Sequence, residues 1–90
     1  MKVRAHVFVS GRVQGVFFRA ETMNEAATHH VTGWVGNMRD GRVEAIFEGE
    51  EKEVDKMIEF CRHGSPAARV ISVEVHKEPY SGEYTAFEAV

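Results

Sequence analysis

A glycine-bearing stretch near the N-terminus has the residue types that could hold a phosphate. Residues 11–19 read Gly-Arg-Val-Gln-Gly-Val-Phe-Phe-Arg, and they join a strand-like segment to a helix that we expect to begin near Phe18. Gly11 and Gly15 allow backbone conformations that turn successive N–H groups toward one point. The helix N-terminus adds unpaired N–H groups, and Arg19 in its first turn adds a guanidinium. The stretch is a candidate anion cradle, although an ordinary strand-to-helix loop with a solvated Arg19 has the same spacing.

The residues of this cradle exclude several mechanisms. A nucleotide-binding P-loop needs Lys and then Ser or Thr after its second glycine, whereas Gly15 is followed by Val16. A cysteine phosphatase needs a cysteine six residues before its arginine, and Val13 stands there. No Ser, Thr, Cys, Asp or His lies between Gly11 and Arg19. A reaction at this site would therefore use water as the nucleophile, with the loop supplying binding and charge stabilisation.

A second candidate is Asn37, which lies in a strand-like segment between Gly36 and the turn sequence Asp40-Gly41. Asparagine is a poor strand former, so its presence there needs a reason. Its neutral amide can hold a water molecule without titrating. It can equally cap the following hairpin through its side chain. The residue type alone leaves both interpretations open.

The elements that position these residues alternate between strand and helix periodicity. Period-two alternation predicts strands around Val3–Val9, Trp34–Met38, Val43–Phe47, Ile71–Val75 and Tyr84–Val90. Apolar residues at helical spacing predict one helix through Met23, Ala26, Ala27 and His30, and another through Val54, Met57, Ile58 and Cys61. Phe17 and Phe18 are expected to pack in the core where the first helix begins. The order β-α-β-β-α-β with an extra C-terminal strand predicts an α+β ferredoxin-like fold, with two helices on one face of an antiparallel sheet.

The composition is that of one small soluble domain covering residues 1–90. Hydrophobic residues make up 43% and charged residues 28%, and no apolar run is long enough for a transmembrane helix. The net charge of −3 argues against nucleic-acid binding, although residues 1–42 have a basic surplus that could attract a small anion. Cys61 is the only cysteine, so we expect a reducing, cytoplasmic location. The histidines lack metal-ligand spacing, so no metal site is expected.

Two segments of the chain closely resemble the acylphosphatase family: residues 11–19, and residues 33–37 together with 40–44. The resemblance continues over residues 68–75 and spans nearly the whole chain. It implies hydrolysis of acyl phosphates, which are carboxylic–phosphoric mixed anhydrides, to a carboxylate and inorganic phosphate, without a metal or cofactor. Gly36 is a departure from the family pattern, because members often carry a basic residue before the asparagine.

The resemblance also implies roles for individual residues. The loop backbone binds the phosphoryl oxygens, and its residues are Gln14, Gly15, Val16, Phe17, Phe18 and Arg19. The Arg19 guanidinium is a further ligand and Asn37 orients the attacking water, so these two are the predicted catalytic residues. The expected partners are a small acyl phosphate and inorganic phosphate, the latter as product and competitive inhibitor, with no nucleic acid and no membrane. A monomer is expected. The alternative is a non-catalytic phosphate-binding or small-anion-binding regulatory module, which would need Arg19 but not Asn37.

Overall fold

The computed structural model describes residues 1–90 and arranges them as five strands and two helices. The strands are β1 (Lys2–Arg12), β2 (Thr32–Asn37), β3 (Val43–Glu50), β4 (Arg69–Glu78) and β5 (Phe87–Ala89), and the helices are α1 (Phe18–Thr28) and α2 (Glu51–Cys61). The strand order in the sheet is β4-β1-β3-β2-β5. Only β5 is parallel to its neighbour, β2. This α+β arrangement, including the extra final strand, confirms the predicted ferredoxin-like fold.

The core lies between the sheet and the two helices. Alternate residues of three strands form its sheet side, because successive side chains of a strand point to opposite faces. These residues are Ala5, Val7 and Val9 in β1, Val35 in β2, and Val43, Ala45 and Phe47 in β3. The predicted stripe of α2 is buried against them, from Val54 to Cys61. Neither helix is long and apolar enough to cross a membrane.

The buried face of α1 differs from the predicted stripe. The core-facing residues are Phe18, Thr22 and Ala26, whereas Met23, Ala27 and His30 are exposed. Phe18 sets this orientation because its ring is buried near that of Phe60, with 6.3 Å between the centroids. Thr22 can be buried because its hydroxyl donates a hydrogen bond to the Phe18 carbonyl at 2.7 Å. Because threonine is polar by type, the spacing of apolar residues in the sequence does not indicate this face.

The prediction that both phenylalanines at the start of α1 pack in the core is wrong for Phe17. Phe18 is buried, but Phe17 is 78% exposed. Phe17 has a left-handed backbone conformation, with φ 64° and ψ 20°, directly before the first helical residue. This change of backbone direction separates the two side chains, and only Phe18 reaches the core.

Strand β4 contains an irregularity that the alternation did not predict. Ser10 of β1 pairs with Ser72, but the next residue, Gly11, pairs with Val70. Ile71 is therefore the extra residue of a β-bulge. It is 82% exposed, so its predicted place in a buried alternation is wrong.

The strand ends also differ from the prediction: β1, β3 and β4 extend beyond the predicted segments, whereas β2 and β5 have ends that fall short. β2 ends at Asn37 instead of Met38, because the Met38 N–H donates to the Arg42 carbonyl at 2.8 Å and the hairpin turn begins there. β5 begins at Phe87 instead of Tyr84, because the chain bends at Thr85 and Ala86 directly before it.

The topology brings the glycine-bearing loop and Asn37 to the same end of the sheet. β1 and β2 lie on either side of β3 and both run antiparallel to it, so β1 and β2 point the same way. Val43, at the start of β3, pairs with Val9 on one side and with Asn37 on the other. The loop that follows β1 and the hairpin that follows β2 are therefore neighbours.

Candidate active site

The loop between β1 and α1 leaves its main-chain N–H groups free. The N–H groups from Gln14 to Ala20 donate no hydrogen bond to another group of the protein, and the first bond of α1 runs from the Glu21 N–H to the Phe17 carbonyl at 3.1 Å. Gly15 has φ 72°, in the left-handed region, while a Cβ there would have open space around it. Glycine is therefore needed at position 15 for the backbone conformation, and not because a larger side chain would clash with a neighbour. Successive free amides at a helix N-terminus make a binding site for an anion.

Arg19 and Asn37 line one cavity together with this loop. The cavity has a volume of about 430 Å³, and Arg19 is the only charged residue in its lining. The structure thus brings together the two predicted catalytic residues. Of the predicted backbone ligands, the cavity lining includes Gly15, Phe17, Phe18 and Arg19 but not Gln14 or Val16.

Two side chains brace the loop from outside the cavity, and neither was predicted from the sequence in this role. The Gln14 amide nitrogen donates to the Met38 carbonyl at 2.7 Å and to the Arg42 carbonyl at 2.9 Å, which links the loop to the β2–β3 hairpin. The buried Ser65 hydroxyl donates to the Val16 carbonyl. The acceptors are main-chain carbonyls of distant segments, so no residue type signals either contact.

The Arg19 side chain contacts a residue beyond β5. Its Nη1 donates to the Val90 carbonyl oxygen at 2.8 Å, and the Val90 N–H donates to the Val35 carbonyl at 2.8 Å. Val90 also lies against Gly36, since a Cβ on that glycine would be 2.9 Å from Val90 Cγ2. The departure from the family pattern at Gly36 therefore leaves room for the residue that contacts Arg19.

Asn37 is exposed at the end of β2, and the hairpin is capped by a different residue. The Asp40 carboxylate accepts hydrogen bonds from the Arg42 main-chain N–H at 3.1 Å and from the Arg42 Nε at 2.8 Å. Both bonds lower the pKa of Asp40, and the bond from the main-chain N–H has the larger effect. Because Asp40 makes the cap, the Asn37 carboxamide is free for a role in the cavity.

Other reactive side chains lie outside the cavity. His6 points to the sheet face opposite the helices, because it alternates along β1 with the core residues Ala5 and Val7. Its Nε2 lies 2.6 Å from a Glu44 oxygen and its Nδ1 lies 2.9 Å from a Glu78 oxygen. Cys61 is part of the core, and burial raises the pKa of its thiol to about 12. An imidazole held by two carboxylates and a buried neutral thiol have no access to the cavity.

The fold and the cavity together define a small ferredoxin-like α+β protein with free main-chain amides and a guanidinium at the N-terminus of its first helix. The sequence model of the acylphosphatase family matches residues 5–89 of this chain. The chain belongs to the acylphosphatase family, and the resemblance found in its sequence is confirmed.

Individual relatives match over nearly their whole length. An acylphosphatase of Syntrophobacter fumaroxidans is 54% identical over 87 residues, which cover 97% of this chain and 90% of that protein. An acylphosphatase of Haloarcula marismortui is 57% identical over 79 residues, which cover 88% of this chain and 87% of that protein. The crystal structure of acylphosphatase from Bacillus subtilis superimposes with a TM-score of 0.94 at 35% identity, covering 98% of both chains.

Proposed function

We propose that the protein hydrolyses acyl phosphates in the cavity that Arg19 and Asn37 share. Its membership of the acylphosphatase family supports the reaction and the substrate class. In this reaction water attacks phosphorus, and the bond between phosphorus and the bridging oxygen breaks. The carboxylate leaves, and both protons of the water end on the phosphate, giving RCOO⁻ and H₂PO₄⁻ from RCO–OPO₃²⁻.

The observation that carries this proposal is the run of free amides beside a single guanidinium. The N–H groups from Gln14 to Ala20 have no acceptor in the protein, and Arg19 is the only charged residue at the cavity. Phosphoryl transfer depends mainly on positioning and charge stabilisation, which such donors provide. A departing carboxylate is a weak base, so the reaction needs no general acid. The Asn37 amide can orient water at any pH near neutrality because it does not titrate.

The first test is Arg19→Ala, which removes the guanidinium from the cavity. We expect kcat/KM for benzoyl phosphate to fall about 10²- to 10³-fold, as is typical when one preorganised donor is lost. Competitive inhibition by inorganic phosphate should disappear with it. Hydrolysis is followed by ultraviolet absorbance, with Arg62→Ala as the control, since Arg62 directly after α2 is an exposed arginine outside the cavity lining and pairs with Glu59. Retention of most activity in Arg19→Ala would refute the assignment.

The second test is Asn37→Ala, which removes only the group assigned to water. We expect turnover to fall about 100-fold, while the inhibition constant of inorganic phosphate changes less than about twofold. Asn24→Ala is the matched control, because Asn24 is an exposed asparagine of α1 outside the cavity. A large loss of phosphate affinity in Asn37→Ala would mean that this residue binds phosphate instead of orienting water.

We propose that inorganic phosphate is both product and competitive inhibitor, because it has the shape and charge of the group that the cradle binds.

We also propose that the protein is a monomer located in the cytoplasm. The free, buried thiol of Cys61 supports a reducing compartment. Light scattering coupled to gel filtration tests the monomer, and a mass of two chains would contradict it.

A further inference from the structure

Phe17 combines two features that packing does not explain. Its backbone has φ 64°, in the left-handed region that bulky residues rarely adopt. Its side chain is 78% exposed, so the ring contributes little to the core. A glycine would fit the backbone and a polar side chain would suit the solvent, and phenylalanine satisfies neither preference. Local strain of this kind is concentrated at functional sites.

The Phe17 ring borders the candidate active site next to two other exposed apolar side chains. Phe17, Ala20 and Met23 follow one another at intervals of three residues along the start of α1, and all three line the cavity. Met23 is 38% exposed, so it extends the exposed apolar surface that begins at Phe17. The cavity therefore has a charged end at Arg19 and an apolar flank along α1.

The acyl group of the substrate has to lie in the rest of this cavity. In an acyl phosphate a single oxygen joins phosphorus to the acyl carbon, so a phosphoryl group in the cradle brings the acyl group next to α1. The volume of about 430 Å³ is in the range of small-molecule sites and exceeds what a phosphoryl group fills. If Arg19 binds the phosphoryl group, the lining contains no other charged residue that could pair with a charged acyl group. An apolar acyl group, in contrast, can pack against Phe17, Ala20 and Met23.

We propose that Phe17, Ala20 and Met23 form an acyl-group subsite, and that the enzyme prefers acyl phosphates with aromatic or larger apolar acyl groups over acetyl phosphate. The proposal rests on the proposed function of the cavity and adds a substrate class to it. Phe17 supplies the largest apolar face of this subsite, and an aromatic acyl group can stack on its ring.

The test compares two substrates in the same set of variants. For each variant, kcat/KM is measured with benzoyl phosphate and with acetyl phosphate, and the ratio of the two values is the readout. The ratio in each variant is compared with the ratio in the unmodified protein. This comparison cancels the different chemical reactivity of the two anhydrides and any effect on the cradle that both substrates share. Phe17→Gly is the main variant, because glycine tolerates the left-handed backbone. Met23→Ala probes the subsite on a second residue, and Ile71→Ala is the control, since Ile71 is an equally exposed apolar residue outside the cavity.

We expect Phe17→Gly to lower the ratio of benzoyl to acetyl phosphate about 5- to 10-fold, as for loss of one apolar contact surface. Met23→Ala should lower it about 2- to 3-fold, and Ile71→Ala should leave it unchanged. An unchanged ratio in Phe17→Gly, with activity still dependent on Arg19, would overturn the subsite and leave the proposed function intact. Failure of the proposed function has a different signature: Arg19→Ala would keep its activity on both substrates, and the subsite would fall with it.

Discussion

At the scale of single residues, the Gln14 side chain connects the two parts of the candidate site. The loop that it belongs to leads into α1, which carries Arg19, and the hairpin whose carbonyls it binds directly follows Asn37. The separation between a phosphoryl group in the cradle and a water at Asn37 depends on how these two segments are held. Gln14 is thus a positioning residue, and its side chain acts through the segments that it joins.

Replacing the Gln14 amide tests this positioning role. We expect Gln14→Met, which keeps the shape but not the donors, to lower the free energy of unfolding by about 1 to 2 kcal/mol and turnover on benzoyl phosphate roughly tenfold. Gln14→Glu should be at least as damaging at neutral pH, because a carboxylate would face two carbonyl oxygens. It should recover partly in acid, where the protonated carboxyl can donate. Full activity of Gln14→Met would show that the contact does not position the site.

Residue type identified the groups that do chemistry better than the groups that support them. Arg19 and Asn37 could be proposed from the sequence because the residue type alone shows that a guanidinium can bind a phosphate and that a carboxamide can hold water. The environments of Phe17 and Phe18 could not be told apart, because one backbone angle decides them. The brace from Ser65 could not be predicted either, since its partner is a main-chain carbonyl 49 positions away.

At the scale of elements, one buried carboxylate fixes the segment between β4 and β5. Glu48 of β3 accepts hydrogen bonds from the Ser81 N–H at 2.9 Å, the Ser81 hydroxyl at 2.8 Å and the Gly82 N–H at 3.1 Å. Arg4 lies 3.3 Å away on β1. Burial acts to raise the pKa of Glu48, but these hydrogen bonds and the Arg4 charge outweigh it, so the pKa lies below its ordinary value of 4.5.

A lowered pKa in the folded state makes stability depend on pH in a defined direction. The Glu48 carboxylate stabilises the fold above its ordinary pKa of 4.5, and this contribution is lost as the pH falls through the folded-state pKa. We expect Glu48→Gln to lower the free energy of unfolding at neutral pH by about 2 kcal/mol. It should also reduce the acid-induced loss of stability.

Urea unfolding at neutral and acid pH measures both effects. Glu51→Gln is the control, because Glu51 is an exposed glutamate three positions further along the chain. If Glu48→Gln and the unmodified protein lost stability in parallel on acidification, the assigned role of Glu48 would be wrong.

Elements with regular patterning were predictable, and the exceptions have local causes. The stripe of α2 is buried as its spacing indicated. The face of α1 was misassigned because Thr22 satisfies its own hydroxyl within the helix and can be buried. The bulge at Ile71 depends on the register between β1 and β4, which alternation within a single strand does not contain.

At the scale of the whole molecule, the strand order creates the site. Because β1 and β2 flank β3 and both run antiparallel to it, they point the same way and the segments after them meet at one end of the sheet, although Arg19 and Asn37 belong to different elements. The ferredoxin-like order of elements was predictable from periodicity, and this order implies the meeting of the two segments. The cavity between them and its apolar flank depend on side-chain directions, which the order does not specify.

A titration of the ¹⁵N-labelled protein with inorganic phosphate, followed by amide chemical shifts, tests the central claim most directly. We predict saturable shifts concentrated on the amides from Gln14 to Ala20, retained in Asn37→Ala and abolished in Arg19→Ala. Saturable shifts at another place, such as the N-terminus of α2, or unchanged binding in Arg19→Ala, would contradict the assignment of the phosphoryl group to this loop.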